Sequence, residues 1–150
     1  IHTNDAATAF TRLVDMGIEP FLVATSIVAI LAQRLVRKLC PLCKEAYHPT
    51  EDELKKGGID PTKMTSILYR ANGCEECGGK GYSGRMGIYE LLVVDEDIRR
   101  AVASGRDSSF VKTICVKNGM RTLRGDGVLK AIEGATSLDE ILRVTAEGME

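Results

Sequence analysis

The strongest constraint on this chain is a pair of CxxC motifs, Cys40-Pro41-Leu42-Cys43 and Cys74-Glu75-Glu76-Cys77, with thirty residues between them. Thiolates are soft metal ligands, and a two-residue gap lets both sulfur atoms of a pair turn towards one ion. Two pairs complete a tetrahedron and leave no position for water, which is typical of a structural site rather than a catalytic one. The spacing therefore predicts that Cys40, Cys43, Cys74 and Cys77 bind one Zn²⁺.

Other uses of these thiols explain less of the pattern. A redox-active dithiol would account for one CxxC pair and leave the second unexplained, while four free thiols in a loop would be open to oxidation. No basic-then-apolar leader is visible, so we expect a reducing compartment in which disulfides are rare. Cys115 stands alone at helical spacing from Val111 and is expected to be a small buried side chain. The chain opens on Ile1 rather than Met, and we expect it to be part of a longer protein.

Composition narrows the class of protein. The 150 residues are 44% hydrophobic and 27% charged, as in ordinary globular proteins. Twenty Lys and Arg against 21 Asp and Glu give a net charge of -1, which supplies no general attraction to nucleic acid or to an anionic bilayer. The longest uncharged run, residues 20–33, is shorter than a membrane span requires, so we expect no transmembrane segment.

Hydrophobic periodicity predicts a mixed fold of the α+β or α/β class, with helices at both ends of the chain. Residues 20–31 are apolar nearly all round and predict a buried helix, and alternation over residues 33–39 predicts a strand. Capping-box patterns begin at Thr50 and Ser137. The other predicted elements are a helix over residues 5–16, strands at 66–70 and 88–94, and helices at 95–104, 107–118, 121–133 and 137–146.

Several separate stretches of the chain carry a family pattern in a fixed order: His2-Thr3-Asn4-Asp5-Ala6, Arg12 to Leu22, Ala32 to Cys40, and Gly81 to Leu92. Together they closely resemble the C-terminal part of the secretion ATPases that drive type II secretion and type IV pilus extension. The resemblance covers essentially all 150 residues, and the final Leu142-Arg143-Val144-Thr145 favours the type II secretion branch. Pilus retraction ATPases fit less well because they lack the tetracysteine insertion.

The resemblance implies the end of a RecA-like P-loop ATPase domain at residues 1–39, a zinc subdomain at 40–87 and a mainly helical subdomain at 88–150. It also implies a hexamer on the cytoplasmic face of the inner membrane, bound to a membrane platform and using ATP and Mg²⁺. The phosphate-binding pattern G-x-x-x-x-G-K-[ST] does not occur in these 150 residues. We therefore expect this stretch alone not to hydrolyse ATP.

Three further residues are candidate site residues, one of them from the resemblance. His2 corresponds to the histidine box near the nucleotide phosphates, although a mobile terminal histidine is an equal alternative. Arg34 and Arg85 could bridge a phosphate or a neighbouring subunit, because a guanidinium forms bidentate hydrogen bonds. Surface salt bridges are the commoner role for such arginines. We expect the zinc subdomain to dock on the membrane platform or on an adjacent subunit.

Two other classes of protein remain as alternatives. Cys74 to Gly81 also matches the CxxCxGxG repeat of a chaperone zinc domain, but that domain needs four repeats and this chain has one. A zinc ribbon that binds nucleic acid is disfavoured by the near-neutral charge and by the few aromatic residues, three Phe and four Tyr with no Trp. No nucleic-acid partner is expected.

Overall fold

A computed structural model describes residues 5–62 and 67–146. This part of the chain combines helices with small antiparallel sheets, as the predicted mixed class requires. The helices are α1 (Thr8–Asp15), α2 (Pro20–Ser26), α3 (Glu51–Lys56), α4 (Glu96–Ala103), α5 (Ser108–Lys117), α6 (Leu123–Ile132) and α7 (Leu138–Val144). The strands are β1 (Ala29–Leu39), β2 (Glu45–Tyr47), β3 (Leu68–Arg70) and β4 (Tyr82–Val93).

The strands form two two-stranded sheets. The long strands β1 and β4 pair with each other, and backbone bonds just beyond their ends run from Val94 N to Val28 O and from Cys40 N to Gly81 O, each 2.9 Å. The start of β1 therefore lies beside the end of β4, so the two strands are antiparallel. The short strands β2 and β3 are also antiparallel, with Ala46 opposite Tyr69.

The chain divides into two compact units that are interleaved in sequence. The first comprises residues 1–33 and 89–122, and the second comprises residues 34–88 and 123–150. The predicted segments 1–39, 40–87 and 88–150 do not coincide with these units and stay a prediction.

The first unit is a helical cluster in which α4 packs against α2 and α5, and α1 packs against α2 and α5. Its core is apolar and lies where these helices meet. The buried side chains include Phe10, Val23, Ile98, Val102 and Val111.

The second unit holds the cysteine loops on a base formed by β3, α6 and α7, which contact one another. A side chain at Gly127 of α6 would place its Cβ 2.7 Å from Cδ1 of Ile141, so glycine is required for α6 and α7 to approach this closely. The fully buried side chains of this unit include Val36, Leu68, Leu138 and Ile141.

Some predicted elements are wrong in their extent. The helix predicted over residues 20–31 ends at Ser26, and β1 begins at Ala29. Phe21 and Leu22 are 62% and 53% exposed, so α2 is not the fully buried helix that the apolar run predicts. The strand β4 begins at Tyr82 rather than at residue 88, and β2 was not predicted.

The predicted capping and the four C-terminal helices are confirmed. Thr50 Oγ1 accepts a hydrogen bond from Glu53 N at 3.2 Å, and Ser137 Oγ accepts one from Glu140 N at 3.1 Å. Each satisfies one of the free N–H groups in the first turn of its helix. None of the helices within residues 5–62 and 67–146 has both the length and the apolar character needed to cross a bilayer.

Candidate metal centre

The structure brings the four cysteines of the CxxC pairs together. Cys40 and Cys43 lie between β1 and β2, while Cys74 and Cys77 lie in the loop between β3 and β4. The four Sγ atoms are all within 4.8 Å of one another. The Sγ–Sγ distances are 3.8 Å for Cys40–Cys74, 3.8 Å for Cys43–Cys77 and 3.7 Å for Cys74–Cys77.

These distances fit a tetrahedral thiolate site. A Zn–S bond of about 2.3 Å gives a tetrahedron whose edge is about 3.8 Å, because the edge is about 1.63 times the centre-to-vertex distance. A disulfide would bring two sulfur atoms to about 2.05 Å. Three of the Sγ–Sγ distances match this edge and all six are within 4.8 Å, so the cluster is compatible with Zn²⁺.

Backbone N–H groups point at two of the sulfur atoms. Cys77 Sγ accepts from Cys74 N and from Gly81 N, both at 3.2 Å, and Cys43 Sγ accepts from Gly73 N at 3.3 Å. The bonds from Cys74 and Gly81 lower the pKa of Cys77 to about 6. Burial raises the pKa of Cys43 to about 12.

Glycines allow the second cysteine loop to fold tightly around the site. Gly73 has φ of 120°, and a Cβ there would lie 2.7 Å from Gly79 O. Gly81 has φ of 80°, and a Cβ there would lie 2.6 Å from Ala71 Cβ. Both positions combine a left-handed backbone with a close approach, so a side chain at either would displace the loop that carries Cys74 and Cys77.

The first cysteine loop is fixed to the end of α6. Lys44 Nζ donates to Gly134 O at 3.0 Å and lies 4.7 Å from the centre of the Tyr69 ring. This contact places a cation at the carbonyl end of a helix and over an aromatic face, both favourable positions. Leu39 N also donates to Ala135 O at 2.9 Å. The end of β1 and the Cys40–Cys43 turn therefore have a defined position on the second unit.

Sequence reasoning missed a group of polar contacts in the second unit, which centre on the buried carboxylate of Glu140. Arg37 donates to it from Nε at 3.1 Å and Nη2 at 3.0 Å, and its backbone N donates at 2.8 Å. Arg143 donates from Nε at 2.8 Å and Nη2 at 3.0 Å. Burial alone would raise the pKa of Glu140, but these bonds outweigh it and lower the pKa to about 2. The capping-box pattern identified Glu140, but gave no sign of its two arginine partners.

The remaining predicted site residues lie outside the cysteine cluster. His2 is outside the described residues. Arg34 is half-buried on β1 and Arg85 is exposed on β4, and their proposed contacts with phosphate or with a neighbouring subunit stay predictions. Cys115 is buried on α5, as predicted, and burial raises the pKa of its thiol to about 11.

The fold and this centre define a small helix-and-sheet protein with a tetracysteine site. The family described as Type II/IV secretion system protein matches residues 1–143, and the chain belongs to this family. This confirms the resemblance found in the sequence.

Named relatives come from both systems. The type II secretion system protein E of Pseudomonas aeruginosa is 48% identical over 147 residues, covering 98% of this chain and 29% of the relative. The type IV pilus assembly ATPase PilB of Thermus thermophilus is 46% identical over 148 residues, covering 98% of this chain and 17% of the relative. The PilB of Myxococcus xanthus is 42% identical, covering 97% of this chain and 26% of the relative. The chain thus spans less than a third of the length of these relatives.

Proposed function

We propose that this chain is the C-terminal part of a hexameric ATPase of RecA-like fold that powers type II protein secretion by assembling a pseudopilus. The observation that carries the proposal is the family match over residues 1–143, joined with relatives named as secretion and pilus ATPases. A type IV pilus extension ATPase is the second candidate, because relatives from the two systems are 48% and 46% identical to this chain.

In this proposal, ATP and Mg²⁺ bind to parts of the longer protein that carry the phosphate-binding loop. His2 lies near the nucleotide phosphates, and Arg34 and Arg85 contact a phosphate or a neighbouring subunit. The half-buried position of Arg34 on β1 and the exposure of Arg85 on β4 are compatible with these roles. The hexamer works at the cytoplasmic face of the inner membrane, attached to the membrane platform of the secretion system.

Zn²⁺ is the ion proposed for the tetracysteine centre, and its role is structural. About thirty residues separate the two CxxC pairs, a length that cannot bury a large apolar core, so metal binding supplies folding energy that burial does not. Four thiolates fill the coordination sphere and leave no site for a reacting water. The centre makes the zinc subdomain rigid, and this subdomain docks on the membrane platform or on an adjacent subunit.

The test uses the full-length gene in a bacterium that lacks its own secretion ATPase. The double variant Cys74→Ser/Cys77→Ser is expected to abolish secretion, because the cluster loses two ligands. It should leave nucleotide binding intact, because the proposed phosphate-binding loop belongs to another part of the longer protein. Cys115→Ser is the matched control, since this buried cysteine lies outside the cluster, and it should support secretion. Normal secretion by the double variant would refute the role of the centre.

A parallel complementation separates the two branches. The wild-type gene is introduced into a strain lacking the type II secretion ATPase and into one lacking the pilus extension ATPase. Rescue of secretion alone supports the first candidate, and rescue of piliation alone supports the second. A purified full-length protein that hydrolyses no ATP would contradict both.

A further inference from the structure

A groove of about 390 Å³ lies between α4 and α5 in the first unit. Its floor is apolar and is formed by Ala101 of α4 with Phe110 and Ile114 of α5. The helix α5 carries two apolar stripes at helical spacing. Val111 and Cys115 face the core and are buried, whereas the Phe110–Ile114 stripe faces the groove and stays partly exposed. Phe110 of this second stripe is 38% exposed.

The rim of the groove is basic. Arg100, Arg106 and Lys117 line it together with the single carboxylate of Asp97. Asp97 pairs with Arg100 at 2.6 Å, which leaves an excess of two positive charges among the lining side chains. The carboxylates of Asp95 and Asp107 lie next to the groove, where they accept hydrogen bonds from Asn118 Nδ2 and Phe110 N. Charge of one sign beside a low-dielectric wall attracts a ligand of the opposite sign.

All three cations of the rim have donors available to a ligand. Arg106 stacks on the Phe110 ring, with its guanidinium carbon 3.7 Å from the ring centre, and such stacking leaves the edge N–H groups free to donate. Within residues 5–62 and 67–146, no carboxylate forms an ion pair with Arg106 or Lys117. The Arg100 side chain is 75% exposed, and its guanidinium has donors beyond the one that pairs with Asp97.

We propose that this groove binds an acidic peptide segment of a partner protein that carries an apolar side chain between its carboxylates. The apolar side chain covers Phe110 and Ile114, and the carboxylates meet Arg100, Arg106 and Lys117. A free phosphate would use the rim and leave the floor exposed, whereas an uncharged apolar peptide would leave the cations unpaired. The inference goes beyond the proposed function, because it depends only on the surface of α4 and α5.

The test uses the full-length protein with its metal bound and a fluorescein-labelled peptide, Glu-Glu-Leu-Glu-Glu-Leu, followed by fluorescence anisotropy. The double variant Arg100→Glu/Lys117→Glu is expected to weaken binding at least about tenfold, because it reverses two rim charges. The control double variant Arg12→Glu/Arg99→Glu makes the same charge change at residues that do not line the groove. It should change the dissociation constant by no more than about twofold. Circular dichroism checks that both variants fold as the wild type does.

A second peptide tests the floor of the groove without altering the protein. Replacing both leucines of the probe by serine should weaken its binding by about tenfold or more, since the apolar contact is lost. Equal binding of the two peptides would overturn the proposal, as would equal weakening in the control variant or no saturable binding up to about 1 mM.

Two further outcomes would assign the groove to another ligand and overturn the peptide proposal. Phosphatidylglycerol vesicles could bind in a way that depends on Arg100 and Lys117 while the peptide does not, which would indicate a lipid surface. Alternatively, self-association of the protein that disappears in the Arg100→Glu/Lys117→Glu variant would indicate a second copy of the chain.

Discussion

The carboxylate of Glu140 provides the sharpest test of how the second unit is held together. Its side chain has no exposed area, while those of Arg37 and Arg143 are 45% and 58% exposed. Glu140→Gln keeps the size of the side chain and removes its charge. The amide also replaces one accepting oxygen by a donor, which faces the N–H groups of the arginines. We expect the free energy of unfolding to fall.

The magnitude follows from the pKa of this carboxyl group, which is lowered from 4.5 to about 2 in the folded protein. At about 1.4 kcal/mol for each pKa unit, the ionised form is stabilised by at most about 3.5 kcal/mol. Because both arginines are half-exposed, water screens part of this interaction. We therefore expect Glu140→Gln to cost about 2 kcal/mol at pH 7.

The assay is urea unfolding of the metal-bound chain, followed by circular dichroism. Glu96→Gln is the matched control, since Glu96 pairs with Arg99 at 2.9 Å and is itself 78% exposed. It should cost less than about 0.5 kcal/mol. Because the pKa of Glu140 is lower in the folded state, its ionised carboxylate stabilises the folded protein at pH values above the unfolded-state pKa of about 4.5. This stabilisation is lost as the pH falls towards about 2. The difference between wild type and Glu140→Gln should therefore shrink below pH 5. Equal costs for the two variants would refute the account.

Three further predictions concern the loops and caps. Gly81→Ala should destabilise the metal-bound chain by more than about 2 kcal/mol, because it adds a clash with Ala71 to an unfavourable φ. The control Gly78→Ala, at a residue with φ of 68° and open space around it, should cost about 1 kcal/mol. Equal urea unfolding midpoints for the two variants would contradict this prediction. Ser137→Ala removes the acceptor for Glu140 N and the 2.7 Å partner of Tyr82 Oη, and should cost about 1–2 kcal/mol by urea unfolding. An excess of chelator at pH 7 should lower the thermal midpoint of the wild type and leave that of Cys74→Ser/Cys77→Ser unchanged, as measured by circular dichroism; no shift in the wild type would contradict a structural metal.

The cysteine cluster was predictable from sequence because the spacing alone fixes its chemistry. The two-residue spacing within each pair is a local feature of the sequence, and metal binding is the interpretation that accounts for both pairs. The packing of Lys44 against Tyr69 and Gly134 was not predictable, since these residues are 25 and 90 positions from Lys44 along the chain. The same holds for Arg37 and Glu140, which are separated by 103 positions.

The wrong boundary between α2 and β1 has a physical cause. Residues 27–31 form a short apolar run, and periodicity does not separate a buried helix from a strand over such a length. Pairing with β4 makes this run part of a strand rather than a helix, and Val94 N donates to Val28 O at 2.9 Å where the two strands meet. The early part of β4 was missed because Gly84 and Gly87 weaken the strand pattern. Tertiary pairing, which the local sequence does not encode, sets both boundaries.

The most direct test of the central claim is zinc X-ray absorption on the purified full-length protein, combined with metal analysis. Four sulfur ligands within 4.8 Å of one another predict one zinc per chain, with four sulfur neighbours at about 2.3 Å and no nitrogen or oxygen in the coordination sphere. A protein without metal, or a zinc site containing water or histidine, would contradict the structural tetracysteine centre.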